Sequence, residues 1–432
     1  MPKIEWIDEL TARCGAALSD AVATFPIAGR LAACVVSPAS VAQVSEVLAF
    51  AHERNLAVIP VGNATHLHVG SPPARYDVAL SLRKLARIVA HEAADMTVTV
   101  EAGCTLDELN AALATAQQWV PLDPPSPDRV TVGGLIAADL NGPLRLSHGK
   151  VRDLLIGVTV MLADGSVVKG GGRVVKNVAG YDLCKLFTGS LGTLGVIVEA
   201  TFKVRPRPEQ TRVLWIGSSD PRAPGEFALG LLDTNIAPLF IELLNRHAIA
   251  DASRSVTLSG ASALAIGFGG VEEEITAQTA RLTERYGPAL HVSDQPDVLM
   301  TWLREFPQRN AHNLTARVSM LPTELIGLLP RLESEAGMRG VEVALVAHVG
   351  NGVACLRLTS PSETAAVLFC EWLRIAAREH GGWVVFDSLP DSLQGRIDPF
   401  GNATPAVLLM RGIKQQLDPR GILSPGRFVG GI

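Results

Sequence analysis

Apolar residues in the first half of the chain recur in two alternating rhythms. Val44, Val47, Leu48 and Ala51 return at helical spacing behind Ser40 and Gln43, a helix-start pair, so the pattern predicts a helix from about Val41 to Asn55. Leu56 to Val61 is apolar and β-branched and ends at Gly62, predicting a buried strand that runs into a tight loop. Met96 to Glu101 alternates as a strand, and Thr105-Leu106-Asp107-Glu108 is a capping box opening a helix to about Gln118. Asp123-Pro124-Pro125-Ser126-Pro127 can continue neither element, and the paired glycines of Thr131-Val132-Gly133-Gly134 open a short apolar helix. Leu155 to Leu162, Asp164-Gly165 and Ser166 to Lys169 predict a hairpin, ended by Gly170-Gly171-Gly172. A strand from Leu194 to Val204 then stops at Arg205-Pro206-Arg207-Pro208.

A domain boundary is expected there, giving a helical lead over 1–27, a first domain over 28–208 and a second over 209–432. The second part mixes helical patterns (Glu226 to Leu232, Glu272 to Tyr286, Thr364 to His380) with strand patterns (Ala263 to Gly267, Val341 to Val346). Neither an internal repeat nor a low-complexity tract is present. The class is α+β.

Charge narrows the function. Lys+Arg 38 against Asp+Glu 43 gives a net charge of -5 without a dense basic block, so nucleic acid is not the expected partner. The longest apolar runs, Leu154 to Ala163 and Ala261 to Gly270, fall short of the ~18 residues of a bilayer span. The opening Met1-Pro2-Lys3-Ile4-Glu5-Trp6 has acidic residues where a signal peptide needs an apolar core, so a cytoplasmic protein is expected. Cys14, Cys34, Cys104, Cys184, Cys355 and Cys370 contain no C-x-x-C pair and read as buried thiols, neither a zinc site nor an iron–sulfur set. G-x-G-x-x-G after a strand, G-x-x-x-x-G-K-[ST], H-E-x-x-H and G-x-S-x-G are all absent.

What remains is glycine. Pro60-Val61-Gly62-Asn63-Ala64-Thr65, Thr131 to Gly134 and Gly189-Ser190-Leu191-Gly192-Thr193-Leu194-Gly195 are three turns in which backbone amides could approach an anion without any Lys. Each alone reads as an ordinary tight turn; three in one domain favour a dinucleotide.

Those loops, with Val36 to Ser40, Val98 to Gly103 and Gly171-Gly172-Arg173-Val174-Val175-Lys176-Asn177-Val178-Ala179-Gly180-Tyr181-Asp182-Leu183, come in the order and spacing of a known family. The chain resembles the FAD-binding superfamily of vanillyl-alcohol oxidase and p-cresol methylhydroxylase, and within it the E-subunit group of bacterial glycolate oxidases. Leu417-Asp418-Pro419-Arg420-Gly421-Ile422-Leu423-Ser424-Pro425-Gly426-Arg427 is similar to that group's closing motif. The resemblance implies a two-part FAD-binding domain of the p-cresol methylhydroxylase type, followed by an α/β cap-like C-terminal domain whose tail returns to the first. It implies FAD held by Pro60, Val61, Gly62, Asn63, Ala64, Thr65, Pro125, Thr131, Gly133, Gly134, Ala138, Gly142, Gly192, Gly195 and Ile197. The first loop is poorer in glycine than is usual in the family, and Ala64 stands where members that bind flavin covalently often carry His, so dissociable FAD is expected.

Relatives that oxidise 2-hydroxy acids carry a metal-binding His-x-Gly-Asp-Gly-Asn-x-His run. The nearest segment, Ala347-His348-Val349-Gly350-Asn351-Gly352-Val353-Ala354, keeps His348 and lacks the Asp and the second His, so no metal is expected. Arg317 could clamp a substrate carboxylate or serve as an ion-pair partner, and Arg427 could stand near the flavin ring; Lys176 and Tyr181 could equally support their loop by packing. The implied assembly includes a second flavin subunit and an iron–sulfur subunit, acting on glycolate or a similar small 2-hydroxy acid. A docking module and a stand-alone D-lactate type dehydrogenase are the other readings.

Overall fold

A computed structural model of the chain describes residues 5–14, 18–19, 25–172, 181–254, 258–308, 314–401 and 405–432. Its first sheet contains β1 (Leu18–Ser19), β2 (Cys34–Val36), β3 (Val58–Val61) and β4 (Val78–Ser81) in the order β1-β2-β4-β3, with β2, β4 and β3 parallel. The crossover from β2 to β3 is the helix Val41–Arg54, which starts where Ser40 accepts from the Gln43 N–H and stops at Asn55 in the left-handed region. Its apolar face (Val44, Val47, Leu48, Ala51) is buried, which is what the spacing predicts.

The next strands are β5 (Ile88–Glu92), β6 (Thr97–Glu101), β7 (Gln118–Trp119), β8 (Leu155–Met161), β9 (Val167–Gly171), β10 (Val196–Lys203) and β11 (Arg205–Pro206). They make an antiparallel sheet, β5-β6-β10-β8-β9, and a short β7–β11 pair. Between β6 and β7 the Thr105–Glu108 capping box forms in full, but its helix ends at Leu113, not near Gln118. Gln117 turns left-handed at φ 54° and Gln118 enters β7. The hairpin turn is as read: Gly165 has φ 84°, and Asp164 accepts from the Ser166 N–H.

From residue 210 onward the strands β12 (Gln210–Ser218), β13 (Phe240–Asn245), β14 (Ser262–Gly270), β15 (His291–Val292), β16 (Leu314–Ser319), β17 (Glu342–His348), β18 (Val353–Thr359) and β19 (Trp383–Ser388) form one sheet. It is antiparallel throughout, in the order β15-β12-β14-β13-β17-β18-β16-β19. One face is covered by the helices Ala223–Leu232, Pro322–Met338 and Glu363–Glu379. The other carries Val213, Trp215, Leu244, Val346 and Cys355 and packs against the helices Arg246–Ala252 and Pro296–Glu305 and against Leu144 of the first half.

The tail returns to the start of the molecule. The Val58 N–H donates to Ile422 O at 2.8 Å and Ser424 N–H to Val58 O at 2.9 Å, so the tail lies parallel to β3. Lys414 Nζ fixes it by reaching Thr193 O, Leu423 O and the buried Asp418 carboxylate.

Candidate functional site

β3 ends at Val61 and delivers the chain into the Gly62–Thr65 loop, where Ala64 adopts a left-handed φ of 61°. No backbone N–H from residue 62 to 66 donates to another backbone group among the described residues. Five consecutive amides are therefore available to an anion, and the loop contains no Lys or Arg. The second wall is the helix Val132–Ala138, whose N-cap Thr131 accepts from the Gly134 N–H at 3.3 Å. The third is the Leu191–Gly192 turn, left-handed at both residues and tied to the helix by Leu191 N–H donating to Ala137 O at 2.8 Å.

These walls line one narrow cleft with a cavity volume of about 100 Å³. Of the residues expected to hold the cofactor, Pro60, Val61, Gly62, Asn63, Ala64, Thr65, Thr131, Gly133, Gly134, Ala138, Gly192, Gly195 and Ile197 all line it, as does Arg427. Pro125 and Gly142 stand outside that lining. Gly142 is pressed against Asp123, whose carbonyl oxygen would lie 2.1 Å from an added Cβ; Pro125 is buried next to Ser126, whose N–H is held by Glu305. The segment Arg173–Gly180, with Lys176, lies outside the described residues, and Tyr181 is exposed at the surface.

His66 lines the cleft beside Thr65. Its Nε2 accepts from the Gln308 side-chain amide, so Nδ1 carries the proton that goes to Thr65 Oγ1 at 2.8 Å. Burial, with His68, Arg317 and Arg129 nearby, pushes its pKa down to about 3, and the ring is neutral. Arg427 is buried, with its guanidinium committed to Ser71 O, Leu67 O and Val69 O at 3.0, 2.8 and 2.6 Å. It fixes the loop that follows His66.

Across the inner face of the large sheet runs a polar row that sequence reasoning did not assemble: Glu242, His348, Cys355, Arg317 and Asp387, from β13, β17, β18, β16 and β19. Arg317 makes a bidentate pair with Asp387, Nε to Oδ2 at 2.7 Å and Nη2 to Oδ1 at 2.8 Å, which raises its pKa further. His348 is buried with Nδ1 2.8 Å from Glu242 Oε1 and Nε2 3.6 Å from Cys355 Sγ. Burial opposes its charge, but Glu242 and Cys355 outweigh burial and raise its pKa well above 6.5. Cys355 occupies the place of the second His in the metal-binding run, a substitution visible in the sequence once the register His348 to Cys355 is counted. Both ring nitrogens of His348 are thus engaged within the protein.

Residues 32–171 match the FAD binding domain family, and residues 207–384 with 402–428 match the C-terminal domain of FAD linked oxidases. The chain is 25% identical over 415 residues to the glycolate oxidase subunit GlcD of Bacillus subtilis (strain 168), covering 91% of this chain and 88% of that protein. It is 28% identical over 433 residues to the probable mitochondrial D-lactate dehydrogenase of Danio rerio, covering 91% and 84%. A solved structure of p-cresol methylhydroxylase with substrate bound has the same fold, with a TM-score of 0.77 at 16% identity over 98% of this chain and 97% of that one. The cleft fits the cofactor by its own chemistry: free amides suit a diphosphate, and Leu82, Ala102 and Ile197 offer apolar surface to a flat ring. With both parts of the family matched in order along the chain, and a cleft that suits FAD, this protein belongs to the FAD-linked oxidases.

Proposed function

We propose that the chain is the FAD-holding subunit of a complex that oxidises glycolate, or a similarly small 2-hydroxy acid, to the 2-oxo acid. Electrons pass to a second flavin subunit and an iron–sulfur subunit. In this reading residues 28–208 hold the cofactor and 209–432 cover its substrate side. The amides of residues 62–66 hold the diphosphate, with Gly133 and Gly134 beside it, and Gly192 to Ile197 border the adenine. Bound there, FAD supplies the hydride acceptor. Neutral His66 and the Arg427-braced loop shape the polar end of the cleft, while Asp387 takes Nε and Nη2 of Arg317 and not Nη1.

The observation that carries the reading is the state of His348. In the metal-binding run of hydroxy-acid dehydrogenases a pair of imidazoles converges on a cation; here one is replaced by Cys355 and the other is locked between Cys355 and Glu242. A base for the hydroxyl proton is therefore weak in this chain, which fits a subunit working with a partner that supplies one. GlcD, a relative over most of both chains, is itself named a subunit. The relative named a D-lactate dehydrogenase supports the stand-alone reading, and one experiment separates the two.

The chain purified alone should be yellow, release all its flavin on acid precipitation, and keep its colour when glycolate or D-lactate is added without air. Rapid bleaching would make it a stand-alone dehydrogenase. A colourless protein that FAD cannot reconstitute would leave only a docking role, and flavin retained in the acid pellet would refute the non-covalent assignment.

A further inference from the structure

The helix Val132–Ala138 forms one wall of the FAD cleft, and the chain leaves it at Asp139, left-handed at φ 48°, for a loop that reaches the large sheet. That loop is braced along its length. Asn141 Nδ2 donates to Asp139 O at 2.7 Å, Val151 N–H to Asn141 Oδ1 at 3.2 Å, and Leu144 N–H to Asp123 Oδ2 at 2.9 Å. His148 stands edge-on to Trp119 at 5.7 Å, and Leu146 packs on Gly350, immediately after the β17 strand that carries His348. Arg145 and Lys150 thus stand on a rigid support at the seam between the cleft and the sheet.

Both are half-buried, and neither side chain makes a hydrogen bond or ion pair among the described residues. Burial lowers the pKa of each, and each also feels like charges: Arg317 and Arg152 around Arg145, Arg145 and Arg152 around Lys150. Asp139 and Asp153 act in the opposite direction on both. Two partly desolvated cations held together without an acceptor are unfavourable in isolation, and an anion relieves them. Arg317 is the contrasting case, since Asp387 neutralises it. FAD's own negative charge lies on its diphosphate, which has the amides of residues 62–66. The second cationic site therefore has another anion to serve.

We propose that Arg145 and Lys150 bind the carboxylate of the acid substrate, so that the FAD domain's own loop anchors it ahead of Arg317. This inference rests on the 2-hydroxy-acid reading for its substrate class. Arg145 offers a planar fork suited to a carboxylate, and Lys150 adds a point charge beside it. Both are positioning residues.

The test is titration of the FAD-loaded full chain with oxalate, a small carboxylate that is not oxidised there, followed by calorimetry. Saturable binding that weakens with salt is expected. Arg145→Met should weaken it at least tenfold and Lys150→Met about threefold. Arg145→Lys should recover part of the loss, and Arg331→Met, on the helix-covered far face of the sheet, should change nothing. Absence of saturable binding, or an affinity in Arg145→Met equal to that of the parent, overturns the proposal. If Arg145→Met does not retain FAD, unaltered oxalate affinity in both Lys150→Met and Arg145→Lys overturns it equally. Oxalate binding needs no turnover, so a chain that binds it through Arg145 yet is bleached by glycolate on its own keeps this site and loses the subunit reading. A chain that stays unbleached while its oxalate affinity is untouched by these substitutions has the opposite meaning.

Discussion

A methyl group on Gly62 would strike Thr131. A Cβ built there falls 2.2 Å from Thr131 Oγ1 and 2.8 Å from its Cγ2. Thr131 is buried, and its Oγ1 is the cap that accepts the Gly134 N–H. In Gly62→Ala the threonine must leave that position, which costs about 1 kcal/mol for the lost cap. Crowding in a packed wall adds about 1–3 kcal/mol, for a total of about 2–4 kcal/mol. Thr131→Ala alone should cost about 1 kcal/mol, as loss of the cap only. In the double variant only the Cβ contact at 3.0 Å persists. Its cost should therefore stay near about 1–2 kcal/mol, well under the sum of the single effects. Urea unfolding of the FAD-free protein, followed by circular dichroism, measures all three. FAD affinity should follow the same order, because residue 62 and the Gly133–Gly134 turn border one cleft. Costs that add to within about 0.5 kcal/mol would refute the reasoning, since sites that do not touch are the ones that add.

Arg427→Met strips three carbonyls of a charged donor and should lower stability by about 3 kcal/mol, read as a drop in melting temperature, with Arg427→Lys recovering little because one ammonium cannot span the three acceptors. His348 has its pKa raised above the unfolded value by Glu242 against the pull of burial, so its stabilisation is complete below about pH 6.5 and is lost as pH rises through the raised pKa. Glu242→Gln should flatten the melting temperature across that alkaline range and, by breaking a buried pair, cost about 3–5 kcal/mol at neutral pH. Asp123 is pushed up to about 7, chiefly by burial; the folded state then holds its proton more tightly, and stability should fall between about pH 4 and pH 7. Asp123→Asn should remove that slope, and a melting curve against pH that keeps it would place the effect elsewhere.

What the sequence discloses about this molecule is what a few neighbouring residues decide among themselves. Ser40 with the Gln43 amide, Thr105 with Glu108, and Asp164-Gly165 are caps and turns whose partners lie within a few positions, and each forms where its chemistry indicates. The glycine loops are legible for the same reason, and most of the predicted cofactor contacts converge on one cleft. The polar row is a different matter. Glu242, His348, Cys355, Arg317 and Asp387 become neighbours only through the strand order β13-β17-β18-β16-β19, which no local pattern contains. Arg145 is harder still, because its interest lies in having no hydrogen-bond or ion-pair partner among the described residues, a property that exists only once the other side chains are in place.

The pairing of Ile422–Ser424 with Val58 has a consequence for how the protein is made. β3 lies at the edge of its sheet, and the strand that covers this edge leaves the ribosome after the whole eight-stranded sheet has been synthesised. Until then β3 presents an open edge to other chains, a hazard that grows with the time such long-range contacts take to form. Arg427, which braces the loop after His66, arrives even later. Nascent or prematurely terminated chains therefore lack Arg427, and with it part of the cleft lining.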